Sequence, residues 1–249
     1  MDYSQKKIKD LVAENYVFAS VLYYLGIEYY EFEEDSLEKV CQQKGLDCQL
    51  VIQELELILV NQEVDNLKLL GLPIDLIVHY LKHAHYLFIK KDLPFLVKLV
   101  NHLKSKGKKY LAVQKELQEV FPLFVEDFVH HVYEEEDTLF EHILQLKKLD
   151  EGKGNPSLFL YGAEKFNVQK FALDHELHDD EMKGIRYLME KFPDQQEGEL
   201  SFNVLYAEFI RFEQKLMTHA KIENEILFPK ALMLEKQVKS KLADLIKLN

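Results

Sequence analysis

Four long stretches of helical amphipathic pattern, Pro73–Leu103, Val113–Leu149, Ala163–Phe192 and Ser201–Leu234, constrain the fold of this chain most. Their apolar residues recur every three or four positions, which gathers them on one face of an α-helix. The breaks between them, "KSKGKK", "EGKGNPS" and "PDQQEGE", are short and rich in Gly, Pro and charge. Connections of this length favour antiparallel neighbours. The spacing therefore predicts an all-α fold built on an up-down-up-down four-helix bundle over residues 67–249. No strand pattern competes with it, and no repeat of fixed period runs through the chain. The tail "KQVKSKLADLIKLN" predicts a short terminal helix.

Residues 1–62 have a different texture and read as a small helical N-terminal domain. Ser4 is placed to cap a helix running to about Leu25, with Gly26 at its stop. Ser36 opens a second helix ending near Gly45, and Asp47 opens a third through Val60. "NQEVDN" (Asn61–Asn66) reads as the linker. With only 9 Gly and 6 Pro, the composition also favours helix. The net charge of −12 repels phosphate backbones and argues against nucleic-acid binding. The opening "MDYSQKKIKD" has no apolar signal core, and no apolar run reaches the ~18 residues of a membrane span. The two cysteines, Cys41 and Cys48, form no CxxC and no disulfide framework. The expected setting is the cytoplasm, with no membrane partner.

The sharpest signal lies in what interrupts the apolar stripes. The fourth stripe runs Phe202, Leu205, Phe209, Phe212, Leu216, His219, Glu223, Leu227, so a histidine and a glutamate stand where core leucines belong. The second runs Leu117, Phe121, Phe124, Phe128, His131, Glu135, Leu139, His142, with the same His–Glu pair four apart. The third carries His175, with His178 or Asp179 at its edge. The first carries His85; His83 is ~200° round the helix from it, so the two cannot both face inward. His130 and Glu134 repeat the spacing but lie ~100° off the stripe and read as solvated. His142, His178 and Asp179 read as flanking or surface groups, and Tyr80, Tyr133 and Tyr206 as packing residues.

Ionised carboxylates are rare in a core unless paired or metal-bound. Two glutamates and four histidines converging from four helices predict a dinuclear metal centre, with carboxylates bridging and imidazoles capping. A nitrogen–oxygen donor set suits iron or manganese. Six side chains leave positions open, with room for an oxo or hydroxo bridge and a small molecule such as NO, O₂ or peroxide. The bland alternative is a hydrogen-bonded polar core without metal, serving as an interaction scaffold.

"HAKIENEILFPKAL", "HVYEEEDTLF" and the D-H-x-x-x-D of "LDHELHDDE" resemble the hemerythrin-like di-iron domain of the iron–sulfur cluster repair proteins, also known as regulators of cell morphogenesis and NO signalling. The stretch from "IKDLVAENYVF" to "QQKGLD" resembles that family's N-terminal domain, so the likeness covers nearly the whole chain. It implies a di-iron site with His85, His131, His175 and His219 as terminal ligands and Glu135 and Glu223 as bridges. It also implies a role in nitrosative or oxidative stress, with iron–sulfur proteins as clients. In the first helix, counting back from "DLP" points to Tyr86, whereas the stripe points to His85; His83 is the third candidate. The family's adjacent Cys-Cys pair is replaced here by Tyr30 and Glu31, so a redox cycle would need a separate electron-donor protein. Three functions follow as expectations: NO-reducing or peroxide- or O₂-reactive chemistry, reversible O₂ or NO binding or sensing without turnover, and a metal-free scaffold. Monomer and homodimer both stay open.

Overall fold

Ile8 does not continue a helix from Ser4; its backbone N–H donates to Asp35 O at 2.9 Å. Leu37 N donates to Lys6 O and Glu38 N to Ser4 O, which makes Lys7–Ser36 an isolated antiparallel bridge. Residues 4–7 thus pair with a distant segment, and a potential N-cap serine is overridden by tertiary contact. The single helix expected up to Leu25 is accordingly two, α1 (Ile8–Glu14) and α2 (Phe18–Tyr24). Asn15 between them is extended, and its side chain accepts the Val17 N–H at 3.1 Å. The other N-terminal signals act as read. Ser36 Oγ accepts from Lys39 N at the start of α3 (Leu37–Lys44), and Gly45 ends it at φ 68°. Asp47 accepts from Gln49 N at the start of α4 (Cys48–Val60).

The computed structural model describes residues 3–60, 69–103, 108–156, 167–178, 182–192 and 199–247. The boundary expected at 62–67, with its linker Asn61–Asn66, lies outside them, as do Asp179 and the side chain of His178. The described residues form an all-α chain without a strand. After α4 come α5 (Ile74–Leu87), α6 (Leu93–Asn101), α7 (Lys108–Glu134), α8 (Glu141–Asp150), α9 (Val168–His178), α10 (Lys183–Met189), α11 (Leu200–Ile222) and α12 (Phe228–Lys247). The terminal helix expected from the tail is the end of α12, because Leu234, Val238 and Leu242 continue the apolar stripe and pack with Leu146. Among the described residues no helix is long and apolar enough to cross a membrane.

Three π-helical turns, Phe88–Asp92, Glu135–Phe140 and Glu223–Leu227, join α5 to α6, α7 to α8 and α11 to α12. Pro94 and Pro229 each stand at the second position of the helix that follows such a turn. A proline lacks the N–H for an i→i−4 bond and its ring crowds that carbonyl, and a widened turn accommodates both. In each case the first residue of the π turn and the residue five positions on are both buried: Phe88 and Leu93, Glu135 and Phe140, Glu223 and Phe228.

Packing divides the chain into two compact units, each drawn from three stretches. The first comprises residues 1–64, 89–124 and 182–214, and the second 65–88, 125–181 and 215–249. In the first, Tyr23 stacks on Phe95 at 4.6 Å, Tyr24 Oη donates to Asp92 at 3.0 Å, and Lys98 pairs with Glu28. In the second, α12 packs on α8 and α9, and α5 on α8. Its core is Ile77, Leu81, Leu139, Phe140, Ile143, Val168, Leu227 and Ala231 with their neighbours.

Candidate metal centre

All six residues singled out as inward polar positions fall in the second unit. His85 sits in the last turn of α5 and is 1% exposed, whereas its neighbour Tyr86 is 57% exposed and His83 is also exposed. His131 is in the last turn of α7 and Glu135 opens the π turn after it. His219 and Glu223 repeat that arrangement at the end of α11, and His175 comes from α9. Both glutamates are 1% exposed, while the His131 side chain is the most open of the set at 36%. His130 and Glu134 are exposed, as their off-stripe positions require.

Glu135 is the hub. Its Oε1 lies 2.8 Å from His175 Nε2 and 3.4 Å from His131 Nε2, and its Oε2 lies 3.3 Å from His85 Nε2. Glu223 Oε1 lies 3.2 Å from His219 Nε2, and its Oε2 lies 3.6 Å from His175 Nε2. The donor atoms resolve into two groups, His85–Glu135–His219–Glu223 and His131–Glu135–His175, each with its atoms within 4.8 Å of one another. Glu135 belongs to both.

Two observations bear on whether a metal fits. His85 Nε2 and His219 Nε2 lie 2.9 Å apart. Two imidazole lone pairs cannot face each other at that distance, so either one ring donates an N–H to the other or a cation is shared there. Among the described residues, Glu223 Oε1 is buried without a hydrogen bond, its nearest donor His219 Nε2 standing 3.2 Å away. Such a carboxylate oxygen is costly in a core and is what a cation would satisfy. The donor chemistry, neutral nitrogens with carboxylate oxygens, is right for a divalent first-row metal.

Electrostatics point the same way. Burial pushes the Glu135 carboxyl up, but hydrogen bonds from His131, His175 and His85 outweigh it and hold the group well below the usual carboxylate range. Burial pushes the His219 imidazole down, and the Glu223 carboxylate beside it more than offsets this, so its pKa is raised. The pocket therefore attracts positive charge.

The walls are aromatic. Phe140 stacks on His85 at 5.5 Å, and Phe88 and Phe228 meet His219 and His175 edge-on, each at 5.6 Å. One contact at the cluster comes from a residue off the apolar stripes. Glu136 Oε1 lies 3.0 Å from His85 Nδ1, and Lys82 lies 3.4 Å from the other oxygen of Glu136. Glu136 thereby holds the Nδ1–H tautomer of His85, leaving the Nε2 lone pair aimed inward. His142 stands apart from the cluster, buried and 3.6 Å from Glu235. Tyr133 is exposed, and Tyr80 packs against the core.

No protein-family model matches the chain, and no curated protein matches it.

Proposed function

We propose that this protein is a hemerythrin-like di-iron protein, an up-down-up-down four-helix bundle carrying a small helical N-terminal domain. Its role is in nitrosative or oxidative stress, in NO or reactive-oxygen chemistry and the repair of iron–sulfur clusters, in the cytoplasm. The observation that supports this best is the sharing of Glu135 between two groups of metal-ligating donors. One carboxylate serving two such groups is the arrangement of a dinuclear site rather than of two isolated ones.

His85, Glu135, His219 and Glu223, together with His131 and His175, would hold the two ions, with Glu135 common to both donor groups. Bound there, iron would supply one-electron chemistry and open positions for NO, O₂ or peroxide. The protein's own contribution is fourfold. The imidazoles present ring nitrogens as donors. The glutamates bring negative charge that offsets the metal charge. Glu136 fixes the His85 ring. Phe88, Phe140 and Phe228 line the imidazoles with apolar surface, which keeps water away and strengthens every electrostatic contact inside. That same aromatic lining favours a second reading, reversible binding or sensing of an apolar diatomic molecule without turnover.

Elemental mass spectrometry on protein made in iron-supplemented medium tests the proposal, with an electronic spectrum on the same sample. Iron near two per chain is expected. NO or peroxide consumption with an added electron donor would select the redox reading, and a reversible spectral change without consumption the binding one. A well-folded protein free of metal would overturn both and leave a scaffold.

A further inference from the structure

The chain has only two cysteines, and its fold brings them together. Cys41 lies in the last turn of α3 and Cys48 is the first residue of α4. Gly45, with φ 68°, reverses the chain between them, and Leu46 N donates to Cys41 O at 2.9 Å to close the turn. The two helices pack against each other. The turn thereby sets the Cys48 thiol beside the Cys41 thiol. The two sulfurs differ in access: Cys41 is buried and Cys48 is partly exposed.

A buried cysteine by itself is usually a small apolar filler. A buried thiol touching an accessible one is different, because it supplies both partners of an exchange reaction, one to meet an external reagent and one to displace it. We propose that Cys41 and Cys48 form a reversible dithiol–disulfide couple that equilibrates with low-molecular-weight disulfides such as glutathione disulfide.

The step balances as follows. The Cys48 thiolate attacks one sulfur of the external disulfide, forming a mixed disulfide at Cys48 and expelling one thiolate. Cys41 then loses its proton and attacks the Cys48 sulfur, forming the Cys41–Cys48 bond and expelling the second thiolate. The protein gives up two electrons and two protons, and the external disulfide becomes two thiols; an excess of small thiol runs the sequence backwards. The order follows from access and acidity. Burial, and then the neighbouring Cys48, push the Cys41 thiol up to about 12, so it is a poor first nucleophile. It becomes competent only when an adjacent mixed disulfide raises its effective concentration, and closure is expected to be slow, over minutes to hours.

The test uses the full-length native chain, incubated with glutathione disulfide, quenched with acid and alkylated, with intact and peptide masses recorded over time. Both thiols should disappear together, with the loss of two hydrogens in mass and a cross-linked peptide joining Cys41 to Cys48. Cys41→Ser should instead accumulate a stable glutathione adduct on Cys48, and Cys48→Ser should leave Cys41 unmodified over the same interval. Wild-type protein that stops at a single adduct, forms only intermolecular disulfides, or keeps both thiols while the urea-unfolded chain reacts would overturn the proposal. The wild-type measurement decides the matter even if a serine variant fails to fold.

Discussion

The Nε2 atoms of His85 and His219 approach to 2.9 Å, bringing α5 and α11 together through two nitrogens that must either share one ring's N–H or hold a cation between them. A cation held there would bind the folded state alone, since the ligands come from separated stretches of chain. Removing metal should therefore lower the thermal midpoint. At free metal 100-fold above its dissociation constant the linkage is worth about 2.7 kcal/mol. For a chain of this size that corresponds to roughly 5–10 °C. Calorimetry with and without a chelator, at fixed protein concentration, checks this; equal midpoints would count against a bound metal.

Glu136 acts on His85 through the far nitrogen of the ring. Glu136→Ala should weaken metal binding by about 10- to 100-fold while leaving the helical circular-dichroism signal unchanged. Glu136→Gln, which can still accept from Nδ1–H, should fall between the alanine variant and wild type. Glu134→Gln, at an exposed position, should match wild type. Competition titration against a chromophoric chelator reads all three.

His85 and Tyr86 make opposite predictions. His85→Ala should reduce the metal count per chain, because its Nε2 lies among the donors. Tyr86→Phe removes a hydroxyl from an exposed ring and should leave the count unchanged and stability within about 0.5 kcal/mol. Metal loss in Tyr86→Phe would transfer the ligand role to the phenol.

Phe140 is fully buried and stacks on His85. Phe140→Ala should cost about 3–5 kcal/mol, through lost burial and the cavity left behind. Urea unfolding gives the value, and a cost under about 1 kcal/mol would mean the site collapses around the smaller side chain.

His142 supplies a pH dependence separate from the metal centre. Burial pushes its pKa below the ordinary imidazole value, and Glu235 offsets this only in part. The unfolded chain then takes up the proton more readily than the folded one. The stability tied to a neutral His142 is fully present above about pH 6.5 and is lost as pH falls through the lower folded value. His142→Gln should flatten the slope of urea midpoint against pH in that window. An unchanged slope would assign the dependence elsewhere.

The inward histidines and glutamates are legible in the sequence because a polar residue in an apolar stripe has few innocent explanations. His85 could be told from His83 by angle alone. Glu136 is not legible that way, since it lies one residue off the stripe and acts from the flank of a π turn. The α1–α2 break depends on residues 4–7 pairing with 35–38, a long-range contact that outranks the local capping signal of Ser4. The joining of the tail to α12 is visible in hindsight in the spacing of Leu234, Val238 and Leu242. The meeting of Cys41 and Cys48 needs the left-handed turn at Gly45, which spacing alone does not reveal.

The π turns make chain length, and not only residue identity, part of the site. Glu135 and Phe140 are buried five positions apart, as are Glu223 and Phe228, so each turn carries one residue more than ordinary winding needs to return the chain to the same face. Removing one residue other than the glutamate from either turn would relax it to ordinary winding with Ile143 and Leu146, or Ala231, still on the core face. The same deletion in the α-helix that follows would rotate everything downstream by about 100°, like a screw advanced a fraction of a turn. A one-residue deletion should therefore be far better tolerated inside these turns than in the helices on either side of them.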